Sequence, residues 1–249
     1  MAGFIVDMHV HTVNGPSDSS LTPQELMEEA RRIGLNGVNI SEHDRVWDAY
    51  EMERFRQESG LFASRAMEVS TDLGHIIVVG LDRYVPGIHM AADLRRVVTQ
   101  AGGFMWVAHP FRHFFDPVHF VRDGAARSAD LRPRQIPDLS PEQAARLPIL
   151  ALVDELEVAN GACSAQENHF ALMVARILGK RGIGSSDAHS THGLGCFATV
   201  FERPLADERD LIAELRAGRY YPAQGLLSDG VAAFGDDAPD MNASFSRCG

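Results

Sequence analysis

Residues 4–12 read FIVDMHVHT, an apolar run that turns polar at its far end. The run predicts a buried strand. In a strand, residues i and i+2 face the same side, so His9 and His11 can grip one ion. The same shape recurs along the chain. Apolar runs end in Glu42-His43-Asp44, in Glu68, in His109 and in Asp187-Ala188-His189, where Asp187 and His189 repeat the i, i+2 spacing. In α/β proteins the carboxyl ends of the strands converge on one crevice, so residues far apart in sequence meet there. Imidazole and carboxylate are the usual ligands of zinc, manganese and iron, and a group of them left empty is costly. The strand-end set therefore points to metal.

Amphipathic segments separate these runs, so the chain reads as βα units in a single α/β domain. Thr22-Pro23 starts the first helix, with Thr22 as N-cap, Pro23 at its first position, Glu25 completing a capping box and Gly34 as the stop. GVNISEHD (37–44) predicts a strand, Trp47–Ser59 a helix, SRAMEVS (64–70) and HIIVVGL (75–81) two strands in succession, Ala91–Ala101 a helix and FMWVAHP (104–110) a strand. Order resumes with ELEVANG (155–161), a helix over Ala165–Lys180, GIGSSDAHS (182–190), CFATVFE (196–202) and a helix over Asp207–Ala217. Between them, residues 113–148 predict a loop-rich insertion or lid, with a short helix after Ser140-Pro141. The domain spans 1–227, and the Gly-, Asp-, Ala- and Ser-rich residues 228–249 predict a flexible tail.

The 249 residues are 45% hydrophobic and 23% charged, the balance of a globular chain rather than a disordered one. At this size about three quarters of the unfolded surface leaves water, so folding needs neither disulfides nor metal. The 23 Lys+Arg against 34 Asp+Glu give a net charge of −11, which argues against a general grip on nucleic acid or anionic lipid. An anionic substrate then needs a local positive source. Lys180 is the only lysine, so that source is arginine and a Schiff-base mechanism is not expected. Cys163, Cys196 and Cys248 form no metal-finger or paired spacing, which fits a reducing, cytoplasmic setting. The opening MAGFIVDMHV has no basic region ahead of a long apolar stretch, and no apolar run reaches the ~18 residues of a membrane span. Neither secretion nor a membrane partner is expected.

The motifs DMHVHT, SDSSLTPQEL, ISEHD, MEVS with GHIIVVGL, AHPFR, LEVANG, SSDAHS and LRAGRYY, taken in this order over roughly residues 5–225, resemble the polymerase and histidinol phosphatase (PHP) superfamily of metal-dependent phosphoesterases. The resemblance implies a distorted (β/α)7 TIM-like barrel whose carboxyl-terminal face holds two or three divalent ions, zinc, manganese or iron. It implies His9, His11, Glu68 and Asp187 as ligands of the first ion. Glu68 would bridge to a second ion also held by His75 and His109, and His43, His189 and Asp18 would hold a third. Asn14-Gly15-Pro16 lengthens the loop before Asp18, and a register one residue different would put Ser17 there and leave a two-metal enzyme. Relatives acting on nucleoside bisphosphates carry a long helical insertion for which residues 81–103 are too short, so 113–148 is the expected substrate-shaping element.

The implied reaction is in-line attack on phosphorus by metal-held hydroxide, without a covalent intermediate, on a small phosphorylated metabolite or nucleotide. Arg112, three residues after His109, is the candidate phosphate fork, against the alternative of a solvent-exposed loop arginine; Arg45 is a weaker candidate. Asp44 joins the catalytic set, with Asp7, as an acceptor that orients neighbouring histidines. Glu157 and Asn160 bond across the crevice or touch substrate. Ser185 and Ser186 lack a nucleophile elbow and read as turn residues. His89, His113, His119 and His169 read as ordinary histidines, and His192 as shaping its loop. Two other readings stand beside this one: a metal-dependent hydrolase of a non-phosphate ester, and a non-catalytic accessory domain. The metal, the substrate and the oligomeric state stay open.

Overall fold

Thr22 Oγ1 accepts from the Glu25 N–H at 3.2 Å, and the Glu25 carboxylate accepts from the Thr22 N–H at 2.9 Å. This reciprocal cap starts the first helix at the expected residue, and Gly34 ends it at φ 84°, a left-handed conformation glycine adopts without strain. The computed structural model describes residues 3–15, 18–115, 118–121, 130–133, 139–228 and 230–235, with backbone alone at 118–121 and 130–133.

In chain order the elements begin with β1 (Phe4–Val10), α1 (Pro23–Ile33), β2 (Gly37–His43) and α2 (Ala49–Ser59). Then come β3 (Phe62–Thr71), β4 (Gly74–Val79), α3 (Ala91–Ala101), β5 (Phe104–Val107) and a hairpin of β6 (Val118–Val121) with β7 (Asp130–Pro133). Two short helices follow, α4 (Pro141–Ala144) and α5 (Pro148–Leu152), before β8 (Glu155–Asn160), α6 (Ala165–Leu178) and β9 (Ile183–Ser185). The chain continues through β10 (Phe197–Phe201), α7 (Glu208–Ala217), β11 (Tyr220–Gln224) and β12 (Ala232–Ala233). The expected 228–249 tail therefore includes one short paired strand, β12 on β11; residues 229 and 236–249 lie outside the described residues. Much of the 113–148 segment does too. What is described there is the β6–β7 hairpin, α4 and the start of α5, so it carries secondary structure as well as loop.

One mixed sheet carries the fold, in the order β12-β11-β10-β1-β2-β3-β4-β5-β8-β9. It curls until β9, at one end of that order, returns to β1. Val10 bridges Ala188 in parallel fashion just past β9, the His11 N–H donates to the Ala188 carbonyl at 3.0 Å, and the Asp187 N–H donates to the His9 carbonyl at 2.9 Å. Strict βα alternation fails at one place. β3 and β4 form a hairpin, and β4 runs antiparallel to both its neighbours while β1, β2, β3, β5, β8 and β9 share one direction. The start of β4 thus lies on the edge where the others end, and that edge is where the polar residues collect.

Side-chain alternation explains why the edge is polar and the rest apolar. Ala66, Ile77, Val79, Trp106 and Ile183 join Val6 and Met8 in a buried cluster closed by Leu211 and Leu215 of α7. Glu68 continues the face of Ala66, and His75 that of Ile77 and Val79, so the same face runs from apolar packing into the polar edge. Outside the sheet, α3 and α6 pack Leu94, Val98, Phe170 and Val174 against Val78, Met105 and Val158. Among the described residues no helix is long and apolar enough to cross a membrane.

Candidate metal centre

The Nε2 atoms of His9 and His11 face each other at 2.8 Å, and both rings are fully buried. His9 Nε2 lies 3.3 Å from Glu68 Oε2 and 3.3 Å from Asp187 Oδ1; His11 Nε2 lies 3.2 Å and 3.4 Å from the same two oxygens. Glu68 is the hub. Its other oxygen, Oε1, is 2.8 Å from His75 Nδ1 and 3.1 Å from His109 Nε2, while Oε2 also meets His43 Nδ1 at 3.1 Å. On the far side of His43, Nε2 is 3.0 Å from Asp18 Oδ2, which also faces His189 Nε2 at 3.6 Å. His11 stacks between His43 and His189, with ring centroids 4.6 and 4.4 Å away. All nine residues expected as ligands therefore sit in one cluster, with Asp18 Oδ2 near His43 and His189. Ser17 lies outside the described residues.

The backbone is bent to make this possible. Asp44, His109 and Asp187 adopt left-handed conformations, at φ 48°, 30° and 56°, which cost about 1–3 kcal/mol each for residues with a side chain. Each is pinned by another part of the site: the Asp44 N–H donates to the Glu68 carbonyl at 2.9 Å, the His109 N–H to Glu157 Oε2 at 2.8 Å, and the Asp187 N–H to the His9 carbonyl. These are the points where the chain leaves β2, β5 and β9. Strain gathered at strand ends is thus tied to the placement of the polar cluster.

Two carboxylates have roles the sequence left open or did not single out. Glu157 is fully buried and accepts from His9 Nδ1–H at 2.9 Å, while its other oxygen takes the His109 N–H and the Asn160 side-chain amide at 2.7 Å. It fixes which nitrogen of His9 faces the cluster, the job such acceptors do beside metal ligands. Glu42, also buried, takes Trp47 Nε1–H at 2.8 Å and the Thr12 N–H and hydroxyl, and its Oε2 lies 4.0 Å from His11 Nδ1. The available signal was an acidic residue inside an otherwise buried strand. The orienting role expected of Asp7 and Asp44 is not what their contacts show. Asp7 accepts the backbone N–H groups of His9, Ser186 and Gly195, tying β1 to the loops around β9, and burial pushes its carboxyl up to about 6. Asp44 accepts the Ser70 N–H at 3.1 Å, a bond that ties the end of β2 to β3 rather than an imidazole.

Arg112 Nη1 donates to Asp187 Oδ2 at 3.0 Å with the side chain partly buried, so it stands at the cluster rather than out in solvent. Charge in the cluster is strongly coupled. Burial opposes ionisation of His9, yet Asp187, Glu157 and Glu68 outweigh it and hold the imidazole well above its usual range. The same interactions, led by His9, override burial at Glu68 and Asp187 and hold both carboxyls well below theirs. His43, half-buried among other histidines, is pushed down, chiefly by desolvation.

A metal fits this arrangement better than a purely protonic network. Two imidazole nitrogens 2.8 Å apart cannot both present lone pairs to each other, so either one carries a proton or both turn to a cation held beside the line joining them. Ligands about 2.0–2.1 Å from a tetrahedral zinc stand roughly 3.3 Å from each other, close to the 3.2–3.4 Å separations between the carboxylate oxygens and the two Nε2 atoms. His11 Nδ1 is buried without a hydrogen-bond partner, 4.0 Å from Glu42 Oε2. Three overlapping sets of described residues could hold an ion: His9, His11 and Glu68; His43, Glu68 and His75; and His11, His43 and His189.

A family description, PHP-associated, matches residues 165–220. An uncharacterised protein of Methanocaldococcus jannaschii is 24% identical over 115 residues, 42% of this chain and 67% of its own length. Among solved structures, a provisionally assigned metal-dependent phosphoesterase from Bifidobacterium adolescentis superposes with a TM-score of 0.56 at 19% identity, covering 85% of this chain and 95% of that one. A two-domain Bacteroides vulgatus protein containing a predicted PHP-like metal-dependent phosphoesterase gives 0.60 at 20% identity, over 90% of this chain and 65% of its own. A lesion-specific endonuclease of Pyrococcus furiosus gives 0.53 at 16% identity, over 88% and 57%. These solved structures share the fold of this chain, and the PHP-associated match covers α6 through the start of β11.

Proposed function

We propose that this chain is a metal-dependent phosphoesterase hydrolysing a small phosphorylated metabolite or nucleotide, with His9, His11, Glu68, Asp187, His75, His109, His43, His189 and Asp18 holding two or three divalent ions. The observation that carries the reading is the meeting of His9 Nε2, His11 Nε2, Glu68 Oε2 and Asp187 Oδ1 beside a guanidinium, Arg112, 3.0 Å from Asp187 Oδ2. Divalent ions at such a site acidify water and neutralise the charge that builds on a phosphoryl group. Arg112 has five N–H donors, so its bond to Asp187 leaves a fork for phosphate oxygens. Glu157 holds His9 in the tautomer whose Nε2 faces the centre, and the left-handed turns at His109 and Asp187 fix where the ligands point. His75, His189 and Asp18 are each about a third or more exposed, so substrate and water approach from their side.

The test is elemental analysis of the purified protein together with turnover of p-nitrophenyl phosphate and p-nitrophenyl acetate, on wild type and on the double variant His9→Ala, Asp187→Ala. About two to three ions per chain, with phosphate turnover lost in the variant, is the expected result. Fewer than one ion per chain with no turnover after adding manganese or zinc overturns the reading, and turnover of the acetate alone moves the activity to non-phosphate esters.

A further inference from the structure

Beside the histidine cluster lies a cavity of about 360 Å³ whose two ends differ in chemistry. One end is polar: His75, His109 and Arg112 form it. The rest of its wall is apolar. Val107, Pro110 and Phe111 come from the end of β5 and the turn after it, and Leu147, Ile149 and Leu150 come from the start of α5. Among the described residues, no lining residue apart from His75, His109 and Arg112 carries a polar side chain.

We infer that the group esterified to the phosphate is apolar and uncharged, an aryl or branched alkyl group of one to two rings' size, rather than a sugar. The inference rests on the phosphoesterase reading and deepens it. The polar end offers imidazoles and a guanidinium for a phosphoryl group, so the remainder of the molecule runs along the apolar wall. A sugar there would bury hydroxyls with no side-chain partner, and each unpaired hydroxyl is penalised. An apolar group loses nothing and gains the transfer of its surface from water. Size agrees as well, since a dry cavity of about 150 Å³ accepts benzene and this one is more than twice as large. Leu147–Leu150 supply this wall, so the N-cap and first turn of α5 set this preference.

The experiment measures binding apart from turnover. On manganese-loaded protein, the affinities of 1-naphthylphosphonate and methylphosphonate are compared by calorimetry, and kcat/KM is compared for 1-naphthyl phosphate and ribose 5-phosphate. The variant is Leu147→Asp; Leu147 is 36% exposed, so the substitution leaves the core intact. The expected result is that the naphthyl compound binds at least about ten-fold tighter than the methyl one, that the aryl ester outpaces the sugar phosphate by a similar factor, and that Leu147→Asp collapses the binding ratio. Equal affinities, or a ratio untouched by Leu147→Asp, overturn the inference even when p-nitrophenyl phosphate is hydrolysed, which leaves the phosphoesterase reading standing. Tight naphthylphosphonate binding with no phosphate ester hydrolysed removes the phosphoesterase reading and the substrate class with it.

Discussion

Glu157 Oε1 takes the His9 Nδ1–H at 2.9 Å, a fully buried bond between the middle of β8 and the end of β1. Its partner oxygen is already used by the His109 N–H and the Asn160 amide, so a carboxamide in its place would set a donor against donors. Glu157→Gln is therefore expected to weaken metal binding by about 10–100-fold, the usual cost of losing an acceptor behind a ligating histidine. Chelator competition reads this directly. An affinity within two-fold of wild type would show that His9 needs no such support.

Metal binding is expected to be strongly pH-dependent, with a sign the electrostatics fix. Without metal, His9 keeps its proton well above the ordinary imidazole range: burial opposes the charge, but Asp187, Glu157 and Glu68 outweigh it. An ion needs the neutral Nε2, so it must displace that proton. Below the raised pKa the apparent affinity climbs as pH rises, and above it the affinity levels off. The climb should continue past pH 7, and calorimetry in buffers of different ionisation enthalpy should show about one proton released at the His9 site. Affinity that is flat from pH 6 to pH 8 contradicts the coupling between His9 and the three carboxylates.

Arg112 separates binding of metal from handling of phosphate. It contacts Asp187, one of the proposed ligands, through a single 3.0 Å bond but is not itself a ligand type. Arg112→Ala should keep most of the bound metal while lowering kcat/KM for p-nitrophenyl phosphate by about 100-fold, the scale for removing one charged donor from a transition state. Arg112→Lys should recover only part of that, because an ammonium cannot form the planar fork. Loss of metal and activity in parallel would instead make Arg112 a support for Asp187.

The strand ends were legible because their alternation is local. β1 and α3 occupy the residues their sequences predict, and the cap at Thr22 with its stop at Gly34 follows from four residues at the ends of one helix. His75 is different. It stands at the start of a strand, and only the pairing of β4 between β3 and β5 turns that start toward the edge where the other strands end. The contacts of Asp44 and Asp7 were not legible for a related reason: which donor a carboxylate meets depends on the loop packed over it, and here those donors include backbone N–H groups from Ser70, Ser186 and Gly195. Glu157 was visible as an acid inside a buried strand, but its partner is 148 residues away. Periodicity within one strand cannot reveal a partner across the sheet.

Gly161 shows how tightly two motifs distant in sequence are fitted together. It closes LEVANG, and a Cβ there would stand 2.3 Å from the Ser186 carbonyl oxygen and 2.6 Å from Cys196 Sγ. Its own N–H donates to the Ser185 carbonyl at 3.1 Å, so β8 and β9 are in contact at the residue just before the strained turn at Asp187. One methyl group added at Gly161 must push that turn away, and backbone cannot yield as a flexible side chain does. Gly161→Ala is expected to cost about 1–3 kcal/mol of stability, the range for overpacking a filled site. At about 2–4 °C per kcal/mol for a chain of this size, calorimetry should show a fall in Tm of several degrees. Because the displaced atoms lead into Asp187, bound metal should drop as well. A variant that melts earlier yet retains its full metal complement would mean that the Asp187 turn is held by its bonds to β1 alone, with β8 contributing nothing to its position.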